Sequence, residues 1–97
     1  MKRQADECDV EWDQRKNLLN QRNHRISFEE AATVLTDPLE LTIADPDHSF
    51  DENRFISIGE SFKRRVLVVS YSERVNIIRI ITARRPTKRE RRLYEEG

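Results

Sequence analysis

The sequence predicts an α+β domain in which a small antiparallel β-sheet packs with two N-terminal helices and one C-terminal helix. Strand-like apolar runs follow one another between residues 54 and 83, and their connections are too short for anything but hairpins. Two capping boxes, Ser27-Phe-Glu-Glu30 and Thr87-Lys-Arg-Glu90, predict helix starts on either side of these runs. With 97 residues and a hydrophobic content of 36%, we expect one domain with a thin core at residues 8–97, preceded by a polar leader at residues 1–7.

The predicted fold begins with a strand and a helix. Residues 8–12 alternate in character, which predicts a short strand at a sheet edge. Asp13 is placed to cap a helix that runs to about Asn23, and Leu18 and Leu19 are its expected apolar contacts. Because that apolar stripe is narrow, this helix is expected to need neighbours to stay folded.

The second helix starts at Ser27, which is expected to exchange hydrogen bonds with Glu30 across the first turn. Asp37-Pro38 ends it, because proline disfavours helical geometry in the residue before it. Residues 39–43 then predict a short strand, and the acidic residues 45–52 predict a loop.

Three antiparallel strands and a last helix complete the predicted fold. The middle strand contains Val66-Leu-Val-Val69, which is apolar on both faces, as in a central strand that is covered on both sides. The C-terminal helix carries Leu93 and Tyr94 on its apolar side. The predicted strands span residues 54–60, 65–72 and 76–83, with loops around residues 62–64 and 73–75.

The net charge of zero conceals two opposite parts of the chain. Residues 1–62 hold seven lysines and arginines against fourteen aspartates and glutamates, whereas residues 63–97 hold eleven against four. A polyanion responds to such a local basic field more than to the total charge of a protein. Nucleic acid is therefore the first partner to consider.

Other classes of protein are disfavoured. The single cysteine, Cys8, rules out an internal disulfide, and His24 and His48 are too far apart for metal-site spacing. No apolar run reaches the roughly 20 residues that cross a bilayer, and the N-terminus lacks the apolar core of a signal peptide. Only Gly59 and Gly97 are present, so there is no glycine-rich phosphate loop. These features predict a cytoplasmic protein without metal, cofactor or membrane contact.

Arg79 is the most informative single residue, because Ile77 and Ile81 flank it on one face of a strand otherwise built for burial. A charge there is costly unless it is paired or faces an open cleft. Two interpretations stay open. Arg79 is either a structural residue, which pairs with a carboxylate such as Glu60 or Glu73 or lies under the final helix, or a phosphate-binding residue.

Further basic residues lie where the last strand gives way to the last helix. Arg84 and Arg85 could hold a phosphate in two-point contact, assisted by the N-terminus of the helix, or they could form a solvated basic turn. Phosphate contacts of this kind position a polyanion without reading its sequence. The same surface could extend along the helix and toward a predicted hairpin tip through Lys88, Arg89, Arg64 and Arg65.

RNA can be cleaved without a metal when the neighbouring 2′-hydroxyl attacks the phosphate. This reaction needs a proton acceptor, a proton donor for the leaving oxygen, and cations around the phosphorane. The side chains that could carry a proton are His24, His48, Glu73, Glu90 and Tyr94, and spacing alone selects none of them. A histidine at a helix end, such as His24, is more often a capping or core-edge residue. Tyr94 equally fits a core position with its hydroxyl at the rim.

An ordered series of motifs runs along residues 9–96. It comprises Val10-Glu-Trp-Asp13, Asn23-His24, Ser27-Phe-Glu-Glu-Ala-Ala32, Asp37-Pro38, Asp45-Pro-Asp-His48, Arg54-Phe-Ile-Ser-Ile-Gly59, Val66-Leu-Val-Val69, Glu73-Arg74, Arg79-Ile-Ile-Thr-Ala-Arg84, Glu90-Arg91 and Tyr94-Glu95. This series resembles the BrnT toxin family. The resemblance implies a RelE-like ribonuclease fold and a type II toxin that blocks translation by cleaving RNA.

The resemblance also implies partners and site residues. The implied partner is a BrnA-type antitoxin whose ribbon-helix-helix part binds operator DNA, so this chain would contact DNA only indirectly. Toxin and antitoxin of that family form a heterotetramer that represses its own operon. By motif position, the implied active-site or RNA-contact residues are His24, Arg79, Arg84 and Tyr94, with Arg65 added at the start of the central strand.

Two positions depart from the family pattern. Arg25 stands where the family usually has a glycine, so it is expected to adopt a left-handed conformation at a cost. Val75 stands where a hairpin glycine is common, and a β-branched residue resists positive φ. An attenuated or non-enzymatic subunit that only binds an antitoxin is therefore the alternative to an active ribonuclease.

Overall fold

The structure is a computed structural model that describes residues 9–46 and 53–97. The order of its elements, β-α-α-β-β-β-β-α, is the predicted one. The elements are β1 (Asp9–Trp12), α1 (Gln14–His24), α2 (Phe28–Val34), β2 (Leu41–Ala44), β3 (Arg54–Glu60), β4 (Val66–Arg74), β5 (Ile77–Arg84) and α3 (Lys88–Glu96). The predicted leader, Cys8 and most of the acidic loop, including His48, lie outside the described residues. In the described ranges, no helix has the length and apolar character to cross a membrane.

The five strands form one sheet in the order β1-β5-β4-β3-β2. Strands β2 to β5 pair antiparallel, as predicted, but β1 runs parallel to β5, with Asp9 opposite Ile77 and Trp12 opposite Ile80. The prediction of a wholly antiparallel sheet was therefore wrong, although β1 does lie at the edge. Since two helices and three strands separate β1 from β5 along the chain, no hairpin fixes its direction.

The main core lies between one face of the sheet and helices α1 and α2. Trp12 packs edge-on against Phe28, with 6.2 Å between the ring centroids. All four residues of the predicted central run are buried, which confirms the central position of β4. The buried cluster comprises Ile26, Phe28, Ala31, Val34, Leu35, Leu67, Val69, Tyr71, Ile78, Ile80 and Ala83.

Helix α1 presents the opposite face from the predicted one. Leu18 and Leu19 are 58% and 54% exposed, whereas Asn17 and Asn20 are buried. The Asn17 Oδ1 accepts a hydrogen bond of 2.8 Å from the backbone N–H of Phe28, and Asn20 makes the backbone contacts described below. Because these amides satisfy backbone groups that packing would otherwise bury without partners, hydrogen bonding decides which face of α1 turns inward.

The caps follow the predictions with one difference. Asp13 caps α1, and Thr87 and Glu90 form the complete capping box of α3. At α2, the Ser27 hydroxyl accepts from the Glu30 N–H at 3.0 Å, as predicted. The predicted return bond from the Glu30 carboxylate was wrong, because an arginine and a serine engage that carboxylate instead.

The two positions that depart from the family pattern behave differently. Arg25 ends α1 with a φ of 58°, the expected left-handed conformation. In the turn between β4 and β5, Asn76 takes the left-handed position with a φ of 61°. Val75 therefore avoids positive φ, and asparagine tolerates that conformation better than a β-branched residue does.

The second face of the sheet is only partly covered. Ile58, Val66 and Val68 form a small cluster there, against which Tyr94 of α3 packs, whereas Leu93 is exposed. In the part of the chain that the structure describes, the side chains of Glu11, Arg74, Ile77, Arg79 and Thr82 on this face are exposed. We call this uncovered area the open face.

Candidate functional site

The pairing of the strands collects arginines on the open face. Residues directly opposite each other in paired strands share a face. One such row runs from Glu11 through Arg79 and Ser72 to Arg54. The Arg54 Nε is buried and has no hydrogen-bond partner among the described residues. Sequence reasoning missed Arg54, whose only signal was that it shares one face of β3 with Ile56, two residues on.

Three further rows extend the same face. Arg74 lies opposite Ile77 at one end, and Val68 lies opposite Arg84 at the other. Between them, Thr82 lies opposite Ser70. A depression of ≈ 420 Å³ lies at the Arg74 end. Glu11, Ser72, Arg74, Ile77 and Arg79 line it.

Arg79 forms an exposed ion pair. Its Nη1 lies 2.7 Å from the Glu11 Oε2, and the arginine side chain is 47% exposed. The predicted partners, Glu60 and Glu73, were wrong, and so was the idea of a buried face, because the buried residues of β5 point to the other side. An exposed ion pair contributes only about 0.2–1 kcal/mol. A phosphate could therefore take the place of Glu11 at small cost.

Arg84 links the end of β5 to the start of α3. Its Nη1 and Nη2 bind both carboxylate oxygens of Glu90 at 2.8 and 2.9 Å. The same hydrogen bonds lower the pKa of Glu90 to about 2. Glu90 is therefore ionised near neutral pH, so it holds no proton to donate. Arg84 itself is partly exposed on the open face.

Tyr94 anchors α3 to the rest of the domain. Its hydroxyl donates a hydrogen bond of 2.6 Å to the Asp37 Oδ2. Burial and the Asp37 carboxylate raise the pKa of Tyr94 to about 12. Burial opposes ionisation of Asp37, but bonds donated by the Glu60 N–H, the Tyr94 hydroxyl and the Leu39 N–H outweigh it and lower the pKa of Asp37. The tyrosine thus keeps its proton near neutral pH.

Among residues 9–46 and 53–97, no strand pairs with the C-terminal half of β5 on the β1 side, since β1 pairs with β5 only as far as Ile80. Asn20 of α1 takes part of that role. Its Oδ1 accepts from the Ala83 N–H at 3.2 Å, and its Nδ2 donates to the Ala83 carbonyl at 2.9 Å. The same Nδ2 also donates to the Ile26 carbonyl at 2.9 Å. Asn20 therefore fixes α1, and the turn after it, against β5.

His24 lies at the end of this helix and is exposed. It borders a cavity of ≈ 290 Å³ between α1 and the C-terminal half of β5. Thr82 lies both in this cavity and in the rows of the open face. His24 and Arg84 therefore flank the same stretch of β5. The cavity is lined by Lys16, Leu19, Asn20, Asn23, His24, Ile81 and Thr82.

Arg65 lies on the opposite side of the sheet, among the helices. Its Nε and Nη2 bind the Glu30 carboxylate at 2.7 and 2.6 Å, and Nη2 also donates to the Arg25 carbonyl at 3.0 Å. The Arg65 side chain is 23% exposed, and Glu30 is buried. These contacts lower the pKa of Glu30, with the bond from Arg65 as the largest cause. The arrangement makes Arg65 a link between β4 and α2.

The remaining predicted basic residues are exposed. Arg64 has a φ of 66° in the turn before β4, and its Nε lies 3.8 Å from the Glu60 carboxylate. Arg85, Lys88 and Arg89 follow Arg84 directly along the chain. Within residues 9–46 and 53–97, no three histidine, cysteine, aspartate or glutamate side chains are grouped to hold a metal ion.

Comparisons with known proteins agree with this architecture. Residues 12–90 match the family described as the ribonuclease toxin BrnT of type II toxin-antitoxin systems. A 1.1 Å crystal structure of the Brucella abortus ribonuclease toxin BrnT superposes with a TM-score of 0.65 and 17% identity, over 84% of this chain and 99% of that chain. No curated protein matches the sequence. The structural likeness supports the α+β fold, and the family match spans most of the chain. The chain belongs to the BrnT family of ribonuclease toxins of type II toxin-antitoxin systems, which implies an antitoxin partner.

Proposed function

We propose that this chain is a metal-independent endoribonuclease with a RelE-like fold, and that it inhibits translation by cleaving RNA. The observation that carries the proposal is the set of arginines on the open face, together with the cavity of His24, which shares Thr82 with that face. RNA would lie across the rows that contain Arg54, Arg79 and Arg84. Electrostatic stabilisation by positioned cations is commonly the largest single contribution to catalysis of this kind.

In this mechanism the 2′-hydroxyl attacks the neighbouring phosphorus. His24 accepts the proton of the hydroxyl as the new O–P bond forms, because an imidazole ring nitrogen can accept a hydrogen bond and then the proton. Arg79 and Arg84 stabilise the charge of the phosphorane. The bond to the 5′-oxygen then breaks, and that oxygen takes its proton from water. Glu90 is ionised, and the Tyr94 hydroxyl already donates its hydrogen to the Asp37 carboxylate, so neither is assigned as the acid.

The other predicted residues receive different roles. Tyr94 is a positioning residue, since it holds α3 against Asp37 and thereby holds the partner of Arg84. Arg64, together with the residues that follow Arg84, would bind RNA phosphates outside the reacting centre. Arg65 is left out of the RNA surface, because it lies on the other side of the sheet and its partner Glu30 is buried. The further RNA-binding residues are therefore Arg64, Arg85, Lys88 and Arg89.

The test is cleavage of purified RNA by antitoxin-free protein in the presence of a chelator. We expect Arg79→Ala and Arg84→Ala each to slow cleavage about 100- to 1,000-fold, the range seen when one charge-stabilising group is removed. Arg92→Ala, an exposed arginine on α3, is the matched control and should cleave normally. Circular dichroism checks that every variant is folded.

Two outcomes would redirect the proposal. If the protein cleaves RNA only on translating ribosomes, the proposed ribonuclease activity stands and depends on the ribosome. Folded wild-type protein that cleaves neither naked RNA nor ribosome-bound RNA would contradict it. The chain would then be a non-enzymatic subunit that only binds an antitoxin.

We further propose that the antitoxin is of the BrnA type, with a ribbon-helix-helix part, and that the two proteins form a heterotetramer. The complex, and not this chain alone, would bind operator DNA and repress the operon. Sedimentation of the complex measures its stoichiometry. A gel shift of operator DNA by the free toxin would contradict the indirect contact.

A further inference from the structure

Helix α1 has its two leucines on the outside. Leu18 and Leu19 are more than half exposed, while Asn17 and Asn20 fill the inner side. Transfer of a leucine side chain out of water is worth about 1.5–3 kcal/mol, so this orientation leaves a favourable contact unmade. A groove of ≈ 320 Å³ runs over the leucines. Its lining is Arg15, Leu18, Leu19 and Arg22, which we call the outer face of α1.

The charge of this face has one sign. Arg15 and Arg22 stand three and four positions from the leucines, so all four side chains share one side of the helix. The helix sequence, QRKNLLNQRNH, contains no aspartate or glutamate. A partner that covers the leucines would therefore bring its own carboxylates to the two arginines.

We propose that the outer face of α1 is the docking surface for a segment of the antitoxin that carries acidic and apolar residues together. The inference rests on the antitoxin partner that the family implies, and it deepens the proposed function by assigning the surface. Burial of the leucines supplies affinity, and opposite charges across the contact supply orientation and speed of association.

Two other occupants fit less well. RNA phosphates and bases could contact the guanidinium groups of Arg15 and Arg22, but they would leave the exposed Leu18 and Leu19 without apolar partners. A second copy of α1 packed on the first would place like charges together, which is destabilising. An acidic protein segment matches both the leucines and the arginines.

The position of the outer face connects docking with neutralisation. Leu19 lines both the groove and the cavity that holds His24. A segment seated on the leucines therefore reaches the rim of that cavity. Occupation of the outer face would hinder RNA at His24 without any change of fold.

The experiment measures the Kd of the full chain for the antitoxin encoded beside it, by competition titration. Leu18→Ser should raise Kd about tenfold, the equivalent of roughly 1.4 kcal/mol. Arg15→Glu should raise it at least as much. An acidic residue in the first turn favours the helix, so unfolding of α1 would not explain that loss. Leu39→Ser and Arg92→Glu, at exposed positions outside α1, are the matched controls and should change Kd less than threefold.

RNA cleavage by the protein without antitoxin tests the proposed function independently of this inference. Neither Leu18 nor Arg15 lines the His24 cavity, so both variants should cleave RNA as the wild type does. An unchanged antitoxin Kd in both variants overturns the inference. If RNA cleavage falls instead, the face binds RNA. If wild-type self-association disappears in Leu18→Ser, the face binds a second copy. If the wild type never cleaves RNA but both variants lose antitoxin affinity, the docking surface is supported and the proposed ribonuclease activity is refuted.

Discussion

Two arginine–glutamate forks, Arg65–Glu30 and Arg84–Glu90, use the same chemical groups in different surroundings. Arg65 binds through Nε and Nη2, and the carboxylate it meets is only 1% exposed. Arg84 binds through Nη1 and Nη2, and the side chains of both Arg84 and Glu90 reach solvent. The first fork lies among the helices and the second at the rim of the open face.

The difference in burial gives the two forks different functions. A buried charge whose partner is removed cannot be compensated by water, so the Arg65–Glu30 fork is a structural link. A partly exposed pair is weakened by solvent and can exchange one partner for another anion. In the proposed mechanism, a phosphate would thus replace Glu90 as the partner of Arg84, whereas Arg65 remains bound to Glu30.

The largest expected effect follows from breaking each fork in turn. Arg65→Met leaves the buried Glu30 carboxylate with only the Ser61 hydroxyl and the Lys63 Nζ, 4.0 Å away, as partners. We therefore expect the free energy of unfolding to fall by about 3 kcal/mol, the lower end of the range for a broken buried pair. Arg84→Met should lower it by no more than about 1 kcal/mol, because water can solvate Glu90. Urea denaturation of both variants measures the difference. Equal losses would show that burial does not separate the two forks.

Asn20 tests whether a neutral link can be as strong as the buried fork. Asn20→Ala leaves the N–H and carbonyl of Ala83 without their side-chain partner, and each unsatisfied group costs about 1–3 kcal/mol. We expect a fall of about 2–3 kcal/mol in the free energy of unfolding, together with slower RNA cleavage as His24 loses its position. Asn23→Ala, exposed on the same helix, is the control for stability. A fall no larger than that of the control would refute the role of Asn20.

The pH dependence of stability sharpens the comparison further. The pKa of Glu90 is lowered from 4.5 to about 2, and the pKa of Glu30 is also lowered. Below pH 4.5 the unfolded state therefore binds more protons than the folded state, and stability is lost as pH falls from about 4.5 toward 2. Urea denaturation at a series of pH values measures this slope. Glu90→Gln should show a shallower slope in that window, and an unchanged slope would contradict the assignment.

The smallest expected effect concerns the backbone next to the buried fork. Arg25 holds a left-handed conformation, which costs a non-glycine residue about 1–2 kcal/mol. Glycine also adds unfolded-state entropy, so Arg25→Gly should raise the free energy of unfolding by a net of about 0.5–1 kcal/mol. The carbonyl that accepts from Arg65 is retained. Arg22→Gly, inside α1, should instead destabilise by about 1 kcal/mol. Thermal denaturation compares the two.

The parts of the fold that local signals encode could be predicted. The Thr87 capping box, the apolar run of β4 and the short connections give the elements and their order within one or two residues. The parallel direction of β1 could not be predicted, because it depends on a partner far along the chain. The inward face of α1 was also missed. Hydrophobicity favoured Leu18 and Leu19, whereas backbone groups elsewhere in the fold select Asn17 and Asn20.

The site is harder to predict than the fold. Arg79 and Arg84 could be singled out as candidates, but neither Glu11 nor Asn20 carries a signal in its neighbours along the chain. Arg65 and Arg84 look alike in sequence, since each is an arginine next to a basic residue. Only the packing of α2 over Arg65 distinguishes its structural role from the role of Arg84 as an accessible cation.

The pairing of β1 with the last strand bears on the synthesis of the protein. Glu11 and Arg79 are 68 residues apart, and Asn20 and Ala83 are 63 apart. A ribosome that adds about 5–20 residues per second leaves α1 without its β5 contacts for several seconds. The proposed site cannot assemble until β5 has emerged from the exit tunnel. The proposed ribonuclease would therefore be inactive in a nascent chain whose β5 has not yet emerged.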